Sequence, residues 1–516
     1  MTFWKLFFVI LVSSFTFTSA QDWLQNSGKA DLLDYLQVNS LPTAISEDVP
    51  LTMVESGYGV KNSYFPVSEE LGLENFGGVT FTDRSNLSEG FSDHANVVGS
   101  YFFSRQNSFL SGVSEVECFE ANDFITQALA LSGGRVTPLA GRVASHAWIG
   151  NHPEPVVGES PEESEEIVAN FSEFIHRFDF LGSAGNTLMV VGLNNEASTA
   201  VPSLWAHSYN ALSVGIVDGN HSSGGSTSIY ENYDISSGRS KPDLVASSHA
   251  TSFATGQVAS GAGYVYGLAQ DLGFSEVTEH TELQRAILMA GASKERFPTW
   301  TNSSSSSLDQ TWGAGELNVF NAHRITESDS SSNDLGYYGW KFLDSNDSEL
   351  TYKISIPEGV SSAKLSMALC WNREIEEVYE EGYQYFPKKL KDYSLSLHGE
   401  TVIQESDSLV DNVEYLYFTD LETGHYTLTV RDKNPSEGGI KAGLAWRINF
   451  DEEADPVLDI KEDEVYLSEL VAGLRYEIWE SEDNISWEFQ EYFTPDNDEW
   501  SIERELGKVY QVRYWP

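Results

Sequence analysis

The 516-residue chain predicts an α/β domain on a parallel sheet flanked by helices, followed by a β-sandwich and a small all-β C-terminal module. Three observations lead there. From about residue 45 to 325, short apolar runs alternate with longer stretches of helical character. The runs "VPLTMVES", "TLMVVGLNN", "NALSVGIVD" and "KPDLVAS" hold consecutive apolar residues rather than a strict alternation, which is how strands covered on both faces read. After the serine-rich "NSSSSSLDQ" (302–310) and the turn-rich "ESDSSSNDLG" (327–336) the pattern changes to period two. "LTYKISI", "YSLSLHG", "EYLYFTD", "HYTLTVRD" and "LAWRINF" carry it, the mark of half-exposed antiparallel strands.

Taken in order, residues 1–20 read as a secretion signal: Lys5, the apolar run "FFVILV", then small residues to Ala20. That run is too short to span a bilayer comfortably and no later apolar run is long enough, so a secreted, extracellular or periplasmic protein is expected, a retained anchor being the alternative. A short segment, 21–44, leads to the α/β domain at 45–325; the sandwich is expected at 336–451. "DEEADP" (451–456) reads as a linker, and "VYLSEL", "LRYEIWES", "WEFQEY" and "YQVRYW" as the strands of a last module at 456–516.

Composition excludes several functions. An apolar fraction of 41% supports folded domains rather than disorder. A net charge of −48 argues against nucleic acid or an anionic membrane as partner and suits a soluble exported chain. Only two cysteines occur, Cys118 and Cys370, in different predicted domains, so two buried thiols are expected rather than a disulfide, and neither has metal-ligand spacing.

The chemistry centres on "HATSFATGQVASGAG" (249–263), where a serine stands at the start of a Gly/Ala-rich helical stretch. In a first turn, Ser252 would lie beside unpaired N–H groups and the positive end of the helix dipole, which suits a nucleophile and a cap equally. A nucleophilic serine further needs a base, an acid to orient it and donors for an oxyanion.

The wider segment "GRSKPDLVASSHATSFATGQVASGAG" resembles the serine segment of the subtilases, the subtilisin-like serine peptidases, with Gly238, Lys241, Pro242, Asp243, Thr251, Ser252, Ala254, Thr255 and Val258 in place. "SDHANVVGSYFF" is similar to the family's histidine segment, with His94, Val98 and Gly99. "TLMVVGLNNE" resembles the strand that ends in its oxyanion asparagine, which assigns that role to Asn194. "SHAWIG" (145–150), "NALSVGIVD" and "WGAGELNVFNA" (312–322) look like later segments of the same fold. The chain order, acid then histidine then serine, is that of subtilisin and not of α/β-hydrolases, and Ala250 and Ala254 exclude the Gly-x-Ser-x-Gly elbow.

Four departures stand beside this. Glu55-Ser56-Gly57 replaces the family's Asp-x-Gly, and glutamate carries its carboxylate one methylene further out. Asp93 and Asp83 are the other acids weighed for that role. Gly256 replaces a common proline, a loss of rigidity rather than chemistry. The "HGTH" form is missing, leaving His94 alone, and residues 21–44 are too few for the usual inhibitory prodomain.

What the resemblance implies is an exported serine endopeptidase acting on protein or peptide substrates. Ser252 is its nucleophile, His94 its base, Glu55 the orienting acid, and Asn194 with the Ser252 N–H the oxyanion donors. It implies no organic cofactor and admits structural calcium, for which the sequence assigns no ligands. His146 and Trp148 read as core or cleft-wall residues, and His249 as a surface or cleft residue without a proton-transfer role. The rival reading is a catalytically silent scaffold that binds a surface polymer or partner through its C-terminal β modules, whose aromatics serve either packing or binding.

Overall fold

The computed structural model describes residues 20–38, 41, 49–57, 63–66, 76, 78–85, 90–110, 112–131, 133–150, 161–202, 204–225, 238–328, 332–357, 362–399, 402–435, 438–450, 457–461, 464–468, 470, 476–481, 488–493, 495, 499–503 and 508–514. The expected secretion signal, but for Ala20, and the acidic linker lie outside them.

Seven strands form one sheet: β1 Leu51–Glu55, β2 Thr80–Asp83, β3 Glu115–Glu120, β4 Val143–His146, β5 Leu188–Gly192, β6 Ala211–Ile216 and β7 Leu244–Ala246. Their order is β7-β6-β5-β4-β1-β3-β2, and every neighbouring pair is parallel. The helices that matter are α1 Ala20–Asn26, α2 Lys29–Val38, α3 Asp93–Phe103, α4 Pro161–Ala184, α5 Thr251–Leu272, α6 Thr281–Gly291 and α7 Val319–Glu327.

Alternate residues of each strand enter different cores, which is why the runs are continuously apolar. Leu51, Met53, Leu188 and Val190 pack with Val98 of α3 and Ala254, Val258 and Ala262 of α5. Val54, Met189 and Val191 pack on the opposite face with Ile175, Phe178 and Leu181 of α4. The four apolar runs of the sequence are β1, β5, β6 and β7. Strand β3, "EVECFE", is buried along all but its first residue despite three glutamates. Its Glu117 is enclosed, accepting from Thr52 Oγ1 at 2.6 Å and the Ala140 amide at 2.8 Å and pairing with Arg84 at 3.1 Å.

The segment before β1 belongs to this domain. Trp23 is buried edge-on against Tyr101 and Phe109, Lys29 Nζ donates to the Ser108 carbonyl at 3.0 Å, and the Val319 amide at the start of α7 donates to the Ser27 carbonyl at 2.8 Å.

The antiparallel region is a two-sheet sandwich. Asp334–Leu335, Glu349–Ile356, Gly424–Asp432, Tyr393–His398 and Val402–Ser406 make one sheet, and Tyr338–Ser345, Ile440–Phe450, Ala363–Cys370 and Val413–Leu421 the other. Two three-stranded sheets follow, within 457–514. Both cysteines are free and buried, as expected.

The sandwich is not a loosely tethered module. Trp340, Ala368, Cys370, Val413, Tyr415 and Ala445 share a core with α5, α6 and α7. Buried Arg285 of α6 donates to the Tyr209 and Trp371 carbonyls, both at 2.8 Å. Asn210 exchanges two hydrogen bonds with the Arg373 backbone, at 2.7 and 2.9 Å. A hairpin the sequence did not reveal, Ile375–Tyr379 with Tyr383–Pro387, reaches back to α4, where Arg177 Nη2 donates to the Tyr383 carbonyl at 2.7 Å.

The closest approach is at Gly443, where a Cβ would fall 2.4 Å from Leu283 Cα. Gly443→Ala must therefore push a sandwich strand off α6. A loss of about 1–3 kcal/mol in denaturant unfolding is expected, as for other overpacked sites; unchanged stability would show that the contact yields.

Candidate active site

The connections after β1 run first to β3 and β2 on one side and then to β4 on the other. Crevices form at the carboxyl ends of strands where connections diverge in this way. Glu55 closes β1 at that point, and α3 begins nearby with Ser92 as cap, its side chain accepting from the Ala95 amide at 3.2 Å.

The two meet. Glu55 Oε2 lies 2.7 Å from His94 Nδ1, with the carboxylate 1% and the ring 10% exposed. The extra methylene of glutamate is thus accommodated, with the carboxylate in place to fix the ring and its tautomer. Glu55 Oε1 is buried with no hydrogen-bond partner among the described residues.

Burial raises the Glu55 carboxyl above its ordinary range, with His94 only partly offsetting this. Burial pulls the His94 ring down, but the charge and hydrogen bond of Glu55 outweigh it and the net shift is upward. Asp83 takes a different role, accepting from Tyr64 Oη at 2.5 Å and the Ser85 amide at 3.0 Å. Asp93 is exposed at the first position of α3.

Ser252 stands in the first turn of α5, half-buried, after Ala250, which offers no side-chain cap. It is therefore not the cap. The next residue, Phe253, has its ring 5.9 Å from the His94 ring. His94 Nε2, the nitrogen turned away from Glu55, has no protein partner among the described residues.

α5 comes this close because of what it lacks. A Cβ on Gly256 would fall 2.8 Å from the Val98 carbonyl of α3, so no proline fits there at this spacing. The glycine that read as a loss of rigidity is a requirement of the helix contact. A Cβ on Gly192, at the end of β5, would likewise meet Thr255 Oγ1 at 3.0 Å.

The first-turn donors of α5 are distributed in a particular way. The Thr251 amide and hydroxyl both donate to Asn195 Oδ1, at 2.7 and 2.9 Å, and the hydroxyl also reaches the Leu193 carbonyl at 2.6 Å. The Phe253 and Ala254 amides go to the Ala250 carbonyl. Among the described hydrogen bonds this leaves the Ser252 N–H and Asn195 Nδ2 for a ligand.

Asn194, the asparagine chosen from the sequence, is engaged elsewhere. Its Nδ2 donates to the Ala200 carbonyl at 3.2 Å, and its backbone bonds Ser222 in both directions, at 3.0 and 3.1 Å. The resemblance of "TLMVVGLNNE" pointed to Asn194, but the strand itself ends at Gly192. There the chain leaves the extended conformation, and Asn195 is the residue that reaches the serine helix.

The other histidines are set apart. His146 is fully buried among Phe124, Phe178 and Trp205, and burial drops its pKa to about 3. His249 is exposed. Lys241 and Asp243 form a buried pair at 2.9 Å, with Asp243 also accepting from the Ser213 amide and hydroxyl, so this part of the serine segment anchors β7 to β6. Among the described residues no three His, Cys, Asp or Glu side chains are grouped to hold a metal ion, and no helix is long and apolar enough to cross a membrane.

No protein-family model and no curated protein matches the chain. Among solved structures it is similar to a PatG macrocyclase in complex with peptide, at 12% identity over 58% of this chain and 98% of that one, with a TM-score of 0.35. It is also similar to fervidolysin from Fervidobacterium pennivorans, a keratinolytic enzyme related to subtilisin, at 12% identity over 93% and 69% and a TM-score of 0.34. For tripeptidyl peptidase 2 the values are 9%, 76% and 43%, and 0.27. At such scores these likenesses stand as observations only, and the functional reading rests on the geometry of the site.

The Glu55–His94 contact makes a spectroscopic prediction. His94 should titrate above the ordinary histidine value of about 6.5. In Glu55→Gln the raising influence is gone while burial remains, so the midpoint should move down. Ring resonances followed by NMR across pH read this directly, and an unmoved midpoint would dissociate the two groups.

Proposed function

We propose that the chain is an exported serine endopeptidase of subtilase type. Ser252 attacks the scissile carbonyl, His94 takes its proton and returns it to the leaving amine, and Glu55 orients the imidazole and stabilises its charged form. The Ser252 N–H and Asn195 Nδ2, rather than Asn194, hold the oxyanion. Substrates are proteins or peptides, and no organic cofactor takes part.

The observation that carries this reading is the 2.7 Å contact between Glu55 Oε2 and His94 Nδ1, formed beside the first turn that bears Ser252. A surface histidine and an ordinary strand-end carboxylate have no reason to be buried together there. The pinned Oδ1 of Asn195 adds to it. An amide whose oxygen is held by Thr251 presents its NH2 in one orientation, as a preorganised oxyanion donor requires.

Labelling with a fluorophosphonate probe tests the nucleophile. Wild type should be modified and Ser252→Ala should not; equal labelling of the two would remove the assignment, and no labelling of wild type at any pH would remove the peptidase.

Turnover of a casein substrate separates the two asparagines. Asn195→Ala should lose on the order of 10²–10³ in kcat, with Asn194→Ala close to wild type. The reverse order would return the role to Asn194. Because the base must be unprotonated and its pKa is raised, kcat/KM should climb with pH through a midpoint above about 6.5.

A further inference from the structure

A cavity of about 810 Å³ opens where the sandwich meets the C-terminal end of α4 and the start of α6. None of Glu55, His94, Asn195 or Ser252 lines it. Its border carries Lys388, Lys389, Lys391, Lys441 and Arg373. In a chain with 30 basic and 78 acidic side chains, this reverses the prevailing balance.

The acids on its wall are Glu279, Glu282, Asp344 and Glu374. Two of them are engaged: Glu374 pairs with Lys388 at 2.8 Å, and Glu282 accepts from Asn372 Nδ2 at 2.7 Å. Lys389 and Lys441 are exposed. The field of the lysines is visible on their neighbours. The Lys388 hydrogen bond, with the charges of Lys388, Lys441 and Lys391, holds Glu374 below its ordinary range, and Lys441 adds to the burial that lowers His280.

The uncharged part of the wall is rich in hydroxyls and amides, among them Ser183, Ser345 and Asn346. Its aromatic residues are few and engaged: His280 stacks on Phe342 at 3.5 Å, half-buried Phe180 packs on Tyr385 at 4.8 Å, and Tyr393 is buried. Its described lining offers no row of exposed rings as a platform for nucleic-acid bases, which single strands need. Nor is the cavity rich in the apolar pockets that anchor peptide side chains. Lysines beside hydroxyls and amides suit a ligand that carries both acidic groups and many hydroxyls.

We propose that this cavity binds an acidic oligosaccharide, Lys389 and Lys441 meeting its carboxylate or sulfate groups and Asn346 and Ser345 its hydroxyls. The site is separate from the catalytic constellation and is read by binding alone, so it stands or falls independently of the peptidase reading.

Calorimetric titration of the full chain with an oligogalacturonate and with a heparin oligosaccharide tests it, the first carrying carboxylates and the second mainly sulfates. Binding of either is expected at about 50 mM salt, weakening strongly by about 200 mM. Lys389→Glu with Lys441→Glu should cost about ten-fold or more in affinity. Lys353→Glu, exposed on a sandwich strand outside the cavity, should bind as wild type does. The proposal is overturned if neither probe binds at low salt, if the double variant binds as wild type does, or if single-stranded DNA of matched charge binds as tightly.

Discussion

The serine helix lies against the histidine helix at a distance that only glycine permits. With Gly256 over the Val98 carbonyl and Gly192 beside Thr255, α5 is drawn onto α3 and the end of β5 at once. That double contact brings Phe253, next to Ser252, against His94 and Thr251 to Asn195. Three further glycines in α5, Gly261, Gly263 and Gly267, are poor helix formers, so packing contributes to holding it. A methyl group at Gly256 would push α5 off the Val98 carbonyl of α3.

The buried carboxylate is the second constraint. Aspartate would be the shorter arm; glutamate reaches His94 Nδ1 at hydrogen-bond distance while leaving Oε1 buried and unmatched among the described residues. An unmatched oxygen in a low dielectric favours the neutral acid, and the bond to His94 opposes this. The pair is therefore a balance between burial and charge, and the upward shift of the histidine is the expression of that balance.

The antiparallel half of the chain is bound into the same structure. Arg285, Asn210 and Arg177 direct buried hydrogen bonds across the junction, and Lys294 sits over the rings of Trp300, Tyr415 and Tyr417 with its ammonium donating to Tyr415 Oη at 2.6 Å. Removing the sandwich would strip these donors of their partners and bare the apolar face that it shares with α5, α6 and α7. Its edge also builds the lysine-lined cavity, and the junction thus gives the sandwich a structural and a binding role together.

By itself the sequence determined the layers. Continuous apolar runs meant strands covered on both faces, alternation meant a sandwich, and Glu55, His94 and Ser252 stood out because their order and flanks made sense as a set. It missed the hairpin at 375–387, whose partners are on α4. The resemblance of "TLMVVGLNNE" to a family strand pointed to Asn194, whose amide is taken by the Ala200 carbonyl. Only the tertiary structure decided which asparagine faces the serine helix, why position 256 is glycine, and that the Glu55 carboxylate meets His94. Each of these is a distance between segments remote in sequence, set by packing of whole elements, and local pattern holds no record of it.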